Sequence, residues 1–130
     1  MGQYHKIVNM DKKQFLQPHK FDDGLKLMEF GCSSDGTMTA LAVLLACACK
    51  GGARGGGDIH SADPLVGSWA GDRIAIVGDY MRPEDLPGSE TGTYDDGTPM
   101  PLYGLLGDDD AYTDISKQIL RVLHEAGEGR

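Results

Sequence analysis

Cys32 stands in Gly31-Cys32-Ser33-Ser34-Asp35-Gly36, directly ahead of the most apolar stretch of the chain. A thiol at the amino end of a helix has its thiolate stabilised by unbonded amide groups and the helix dipole, as a nucleophile requires. His60 and Asp72 follow in the order nucleophile, base, orienting polar group, with His19 as another candidate base. Such a set would support a small thiol-dependent hydrolase or transferase. Order does not define the pair, because a nucleophile and its base are defined by geometry. The competing reading of Cys32 is a small half-buried residue in a capping loop.

A second chemistry is anion binding. Gly51-Gly52-Ala53-Arg54-Gly55-Gly56-Gly57-Asp58 is glycine-rich with one cation. It follows a predicted helix rather than a strand, opens no helix and lacks a Gly-Lys-Ser/Thr ending, so a flexible connector competes with a phosphate cradle. Arg54, Arg73, Asp79 and Tyr80 are the candidate ligand-binding residues. Arg73 and Asp79 are six positions apart on one predicted strand, so they share a face about 20 Å apart and cannot pair with each other. Each needs a partner elsewhere, for the acids Lys6 or His5 on the first strand, and structural ion pairs at strand ends compete with a binding role.

No metal or cofactor is expected. His5, His19, His60 and His124 show no ligand spacing with the cysteines, and Asp108-Asp109-Asp110 lacks the calcium-loop pattern and reads as a solvated turn.

The elements that must position these residues fit one domain, 1–130. The chain is 40% apolar and 25% charged, which suits a globular protein, and its 19 glycines demand many turns. Twenty acidic against 12 basic residues give a net charge of −8. That balance argues against direct nucleic-acid binding and suits either solubility or a protein partner with a basic surface. Self-association is left open. The amino end shows no secretory pattern and Lys6 breaks a myristoylation pattern. The longest apolar run, Met38 to Ala48, is too short to span a bilayer, so a cytoplasmic location without membrane contact is expected.

Gln3 to Met10 predicts a strand, with Tyr4, Lys6 and Val8 on one face and His5 and Ile7 on the other. Asp11 to Asp23 reads as a connection pinned by Phe15 and Phe21. Over Gly24 to Phe30, Asp22 or Asp23 could cap a short helix burying Leu25 and Met28, while Leu25-Lys26-Leu27 also alternates as a strand would, and the helix is the favoured reading. Thr37 to Lys50, capped by Ser34, Asp35 or Thr37 and apolar all round, predicts a buried central helix holding Cys47 and Cys49. Trp69 to Tyr80 reads as a core strand, apolar on both faces from Ile74 to Val77, as inside a sheet. Met81 to Gly107, with Pro83, Pro87, Pro99 and Pro101, is an irregular excursion around a hairpin at Asp95-Asp96-Gly97. Thr113 to Ala126 predicts a helix that buries Ile115, Ile119, Leu120, Val122 and Leu123 and stops at Gly127. The fold class is α+β: a small mixed or antiparallel sheet packed by the central and C-terminal helices.

Met1-Gly2-Gln3-Tyr4, Asn9, Asp11-Lys12-Lys13, Pro18-His19-Lys20, Gly24-Leu25-Lys26-Leu27, Trp69-Ala70-Gly71-Asp72-Arg73-Ile74 and Gly78-Asp79-Tyr80 together resemble a group of small uncharacterised prokaryotic proteins, some carried by phages and plasmids. The resemblance covers roughly residues 1 to 80 as short motifs. It implies no activity, cofactor or catalytic residue. Its mobile-element association implies an accessory or host-interaction protein. The leading expectation is therefore a non-catalytic interaction protein acting through its acidic surface and the Met81 to Gly107 loop.

Overall fold

The computed structural model describes residues 3–32, 35–47, 61–107 and 111–128, with 126–128 as backbone only. In chain order the elements are β1 (His5–Asn9), β2 (Gln14–Leu16), a 3-10 turn at Pro18–Phe21, α1 (Leu27–Gly31), α2 (Thr37–Leu45), β3 (Ile74–Gly78), a second 3-10 turn at Pro83–Asp85, β4 (Gly92–Thr93), β5 (Pro99–Met100), α3 (Leu102–Leu105), β6 (Thr113–Asp114) and α4 (Ser116–Glu128). The class is α+β. A mixed sheet of order β3-β1-β2-β6 has antiparallel pairs except β2 with β6, and β4 and β5 form a separate ribbon.

Both faces of the larger sheet are covered, so consecutive residues of β1 are buried on opposite sides. Ile7 and Leu16 pack with Phe21, Phe30, Leu44 and Trp69, along with Ile119 and Val122 of α4. Val8, Phe15 and Val77 pack on the other face against Leu102, Leu106 and Tyr112. Lys6 crosses to that second layer. Its Nζ donates to the Leu106 carbonyl and lies 4.8 Å from the Tyr103 ring centroid, a cation–π approach.

Trp69 joins three pieces of chain. Its ring is fully buried, its Nε1 donates to Gln14 Oε1 at 2.7 Å, and its amide donates to the Leu44 carbonyl at 2.9 Å. The Gly67 amide donates to the Val43 carbonyl at 2.9 Å. The last carbonyls of α2, which a helix leaves unpaired, are thus met by the 63–72 segment.

Several expectations need correction. The connection at 11–23 contains β2, because the chain turns back at Met10–Lys13 with Lys13 at φ 56° and buries Phe15 and Leu16. Trp69 lies in a run of overlapping tight turns from Asp63 to Asp72, and only Ile74–Gly78 is strand. That strand is an edge, paired with β1 alone among the described residues. Of its residues only Val77 and Gly78 are buried, Ile74 and Ala75 are half-buried and Ile76 is exposed, so its apolar run does not mark a place inside the sheet. Met28 is 70% exposed and α1 buries Phe30 instead.

α2 ends at Leu45, with Ala46 extended and Cys47 beyond it and exposed. Ala42 and Leu45 are also exposed, so the helix is not buried all round. Its cap comes from Asp23, whose Oδ2 accepts from the Thr37 amide (2.8 Å) and hydroxyl (2.6 Å), while Gly36 holds the N-cap position. Thr113–Asp114 is the short strand β6, and α4 runs through Gly127. The hairpin at Asp95-Asp96-Gly97 is present between β4 and β5. The glycine loop, the helix continuation to Lys50 with Cys49, and Asp108-Asp109-Asp110 lie outside the described residues.

Gly67 has φ +76°, and a Cβ built there would lie 2.6 Å from the Ala46 carbonyl oxygen. Gly97 has φ +87° with open space around it. Gly67→Ala is expected to cost about 2–4 kcal/mol, against about 1–2 kcal/mol for Gly97→Ala, because only the first adds a backbone clash to the left-handed strain. Urea unfolding of both variants checks this, and equal losses would contradict the close approach.

Candidate functional site

The two ends of β3 carry the polar residues singled out in the sequence, and each end is a network with β1. At one end Asn9 is fully buried. Its Oδ1 accepts from the Asp11 (2.9 Å) and Lys12 (2.8 Å) amides, which shapes the turn into β2, and its Nδ2 donates to Asp72 Oδ2 at 2.8 Å. Lys12 Nζ reaches the same oxygen at 2.6 Å. Beside it, both oxygens of Asp11 accept from Arg73, one from its amide and one from Nε, each at 2.8 Å. The Met10 amide closes the end on the Arg73 carbonyl.

At the other end Asp79 Oδ1 accepts from the Tyr4 amide at 3.0 Å, and the Asp79 amide donates to the Tyr4 carbonyl at 2.8 Å. The Gln3 side chain packs over Gly78, where any Cβ would collide with it, and its Oε1 accepts from the Tyr80 amide. Tyr4 and Tyr80 remain well exposed, Tyr80 at 60%. The backbone of β1 extends to Lys26 through a Tyr4–Lys26 bridge and the His5 amide on the Leu25 carbonyl.

A third anchor joins β2 to α4. Ser116 Oγ accepts from the Gln17 amide, Asp114 Oδ1 accepts from the Ser116 amide, and Lys20 Nζ pairs with Asp114 Oδ2 at 2.6 Å.

These bonds set the charge of the carboxylates. The Arg73 amide, then its guanidinium, holds Asp11 below the ordinary carboxylate value, and hydrogen bonds from Asn9, then Lys12, do the same for Asp72. Burial opposes ionisation of Asp114, but hydrogen bonds from Lys20 and Ser116 outweigh it and its pKa is lowered. Burial, then the hydrogen bond to Glu90, pushes the Tyr112 phenol up to about 12.

The predicted site residues are dispersed among these networks. Asp72 is met by Asn9 and Lys12, rather than by Lys6 or His5. Arg73 is met by Asp11. Cys32 is exposed, five residues before α2, and it caps the carbonyl end of α1 with its amide on the Phe30 carbonyl. α1 is tied to the His5 end of β1 by the His5–Leu25 bond and the His5–Phe30 ring contact. Asp72 is tied to the Asn9 end, four residues and about 13 Å of strand rise away. His19 is exposed on the first 3-10 turn. His60 and Arg54 lie outside the described residues. Among the described residues, no group of three His, Cys, Asp or Glu side chains could hold a metal ion. No helix there is long and apolar enough to cross a membrane.

Asn9, Asp11, Lys12 and Gln3 are partners that residue chemistry alone does not single out, because each bonds a residue sixty or more positions away. Comparison with family models, with curated proteins and with solved structures found no match.

Asp11, Asp72 and Asp114 titrate below 3.8 in the native state, so there the native state holds fewer protons than the unfolded chain. Their contribution is therefore fully present above the ordinary carboxylate range and is lost as pH falls through the lowered values. Asp72→Asn is expected to flatten the acid limb of a stability-versus-pH curve measured by urea unfolding; an unchanged slope would contradict the assigned bonds.

Proposed function

We propose that this is a non-catalytic interaction protein that binds a basic protein partner through its acidic surface, above all through the 81–107 excursion. The observation that carries the reading is the charge of that excursion. Glu84, Asp85, Glu90, Asp95 and Asp96 are exposed there, against one cation, Arg82, which pairs with Asp85. Tyr94, 45% exposed, adds an aromatic surface beside Asp95 and Asp96 at the hairpin. An aromatic side chain next to charges of one sign suits a partner of the opposite sign, with the charges steering encounter and the ring supplying buried area. The resemblance to phage- and plasmid-carried proteins fits an accessory role of this kind.

The bonds of Asp72 and Arg73 support the same reading, because hydrogen bonds that hold the fold explain these residues without a substrate. Cys32 keeps a competing thiol chemistry in view only through its exposure.

The full chain, immobilised, is expected to retain a basic protein from a bacterial lysate at low salt and to release it as ionic strength approaches about 0.5 M. Glu84→Gln combined with Asp95→Asn is expected to weaken retention several-fold, while Cys32→Ala leaves it unchanged. Retention that ignores salt and the double substitution, or that depends on Cys32, would overturn the proposal.

A further inference from the structure

The outer edge of β3 points to a second copy of this chain. The Met10 amide bonds the Arg73 carbonyl, and the Asp79 amide bonds the Tyr4 carbonyl. Odd-numbered residues of β3 therefore direct their backbone groups at β1, and Ile74, Ile76 and Gly78 direct theirs outward. Among the described residues no strand pairs with that edge, and the only bond there is the Met81 amide on the Gly78 carbonyl. Ile76 at its centre is 42% exposed. Isolated edges are ordinarily blunted by Lys, Pro or a bulge, and Ile74–Gly78 contains neither residue.

We propose that two copies pair β3 to β3 antiparallel across a two-fold axis at Ile76, making one continuous sheet. The sequence around Ile76 is complementary to itself in this register. Arg73 and Asp79, which flank β3 at its two ends, fall opposite each other between the copies, so opposite charges meet at both ends of the pairing. Ile74 falls opposite Gly78 and Ala75 opposite Val77, so each larger side chain meets a smaller one, with the two Ile76 side chains meeting on the axis. The Arg73 side chain is 67% exposed, and its guanidinium has donors beyond the Nε that Asp11 accepts. A shift of one residue would put every side chain on the wrong face, and a parallel pairing would set Arg73 against Arg73 and Asp79 against Asp79. This self-pairing is independent of the acidic surface proposed above.

Sedimentation velocity of the full chain up to about 1 mM is expected to show a monomer–dimer equilibrium. Ile76→Lys, at an exposed position, is expected to weaken it at least about tenfold while leaving the thermal transition near its original temperature. Arg73→Asp alone sets like charges opposite each other, as does Asp79→Arg alone. Each is expected to be monomeric, and an equimolar mixture is expected to form a heterodimer, which damage to each separate fold would not produce. A chain that stays monomeric throughout, a dimer that survives Ile76→Lys, or folded charge variants whose mixture stays monomeric would overturn the proposal. If a charge variant does not fold, Ile76→Lys decides.

Discussion

The Asn9 side chain is the constraint on which the sheet depends. It sits at full burial at the end of the central strand, and a buried amide must find partners or cost a few kcal/mol in lost hydration. Its carbonyl oxygen takes the amides of Asp11 and Lys12, which forces the chain back into β2. Its amide nitrogen takes Asp72, which fixes where β3 enters beside β1. One side chain thus sets the hairpin on one side of β1 and the entry of the distant strand on the other. Lys12 and the Asp11–Arg73 pair surround that junction with charge-assisted bonds.

From this junction the remaining layers follow in order. The turns from Asp63 to Asp72 deliver β3 and also present the Gly67 and Trp69 amides to the end of α2. Trp69 fills the space between α2 and β2, and Gln14 satisfies its ring nitrogen. On the opposite face, Lys6 holds the carbonyl of Leu106 just beyond α3, under which Val8, Phe15 and Val77 are buried. The far end of β3 is fastened by Asp79 on the Tyr4 amide and by Gln3 over Gly78. Gln3-Tyr4, Asn9, Asp11-Lys12 and Gly78-Asp79-Tyr80, with Asp72-Arg73, are therefore the two ends of one strand pair.

Much of the fold class was legible in periodicity. The first strand, the Ile74 to Val77 strand, the helix from Thr37, the terminal helix and the hairpin at Asp95-Asp96-Gly97 each announce themselves by apolar spacing or turn residues. β2 did not, because three residues of strand carry no alternation, and Asn9-Met10-Asp11-Lys12-Lys13 lacks the usual Asn-Gly or Asp-Gly turn pair. The end of α2 was hidden for another reason: Ala46 to Ala48 would extend a helix by propensity, yet contacts with the chain around Gly67 end it at Leu45. The edge position of β3 was illegible in principle, since burial of faces shapes composition whereas pairing at the edges is a long-range choice. For the candidate site, identity was easier to read than partnership. Asp72, Arg73, Asp79 and Tyr80 stood out by chemistry, but their bonds run to residues sixty or more positions away.

The claim that these motif residues hold the fold rests on the Asn9–Asp72 bond. A double-mutant cycle of Asn9→Ala and Asp72→Ala, followed by urea unfolding, tests it most directly. Asn9→Ala alone is expected to cost about 2–3 kcal/mol, since it orphans two turn amides as well as the carboxylate. The double variant is expected to lose clearly less than the sum of the two single losses. Strictly additive losses, or an Asn9→Ala protein as stable as the parent, would contradict the account.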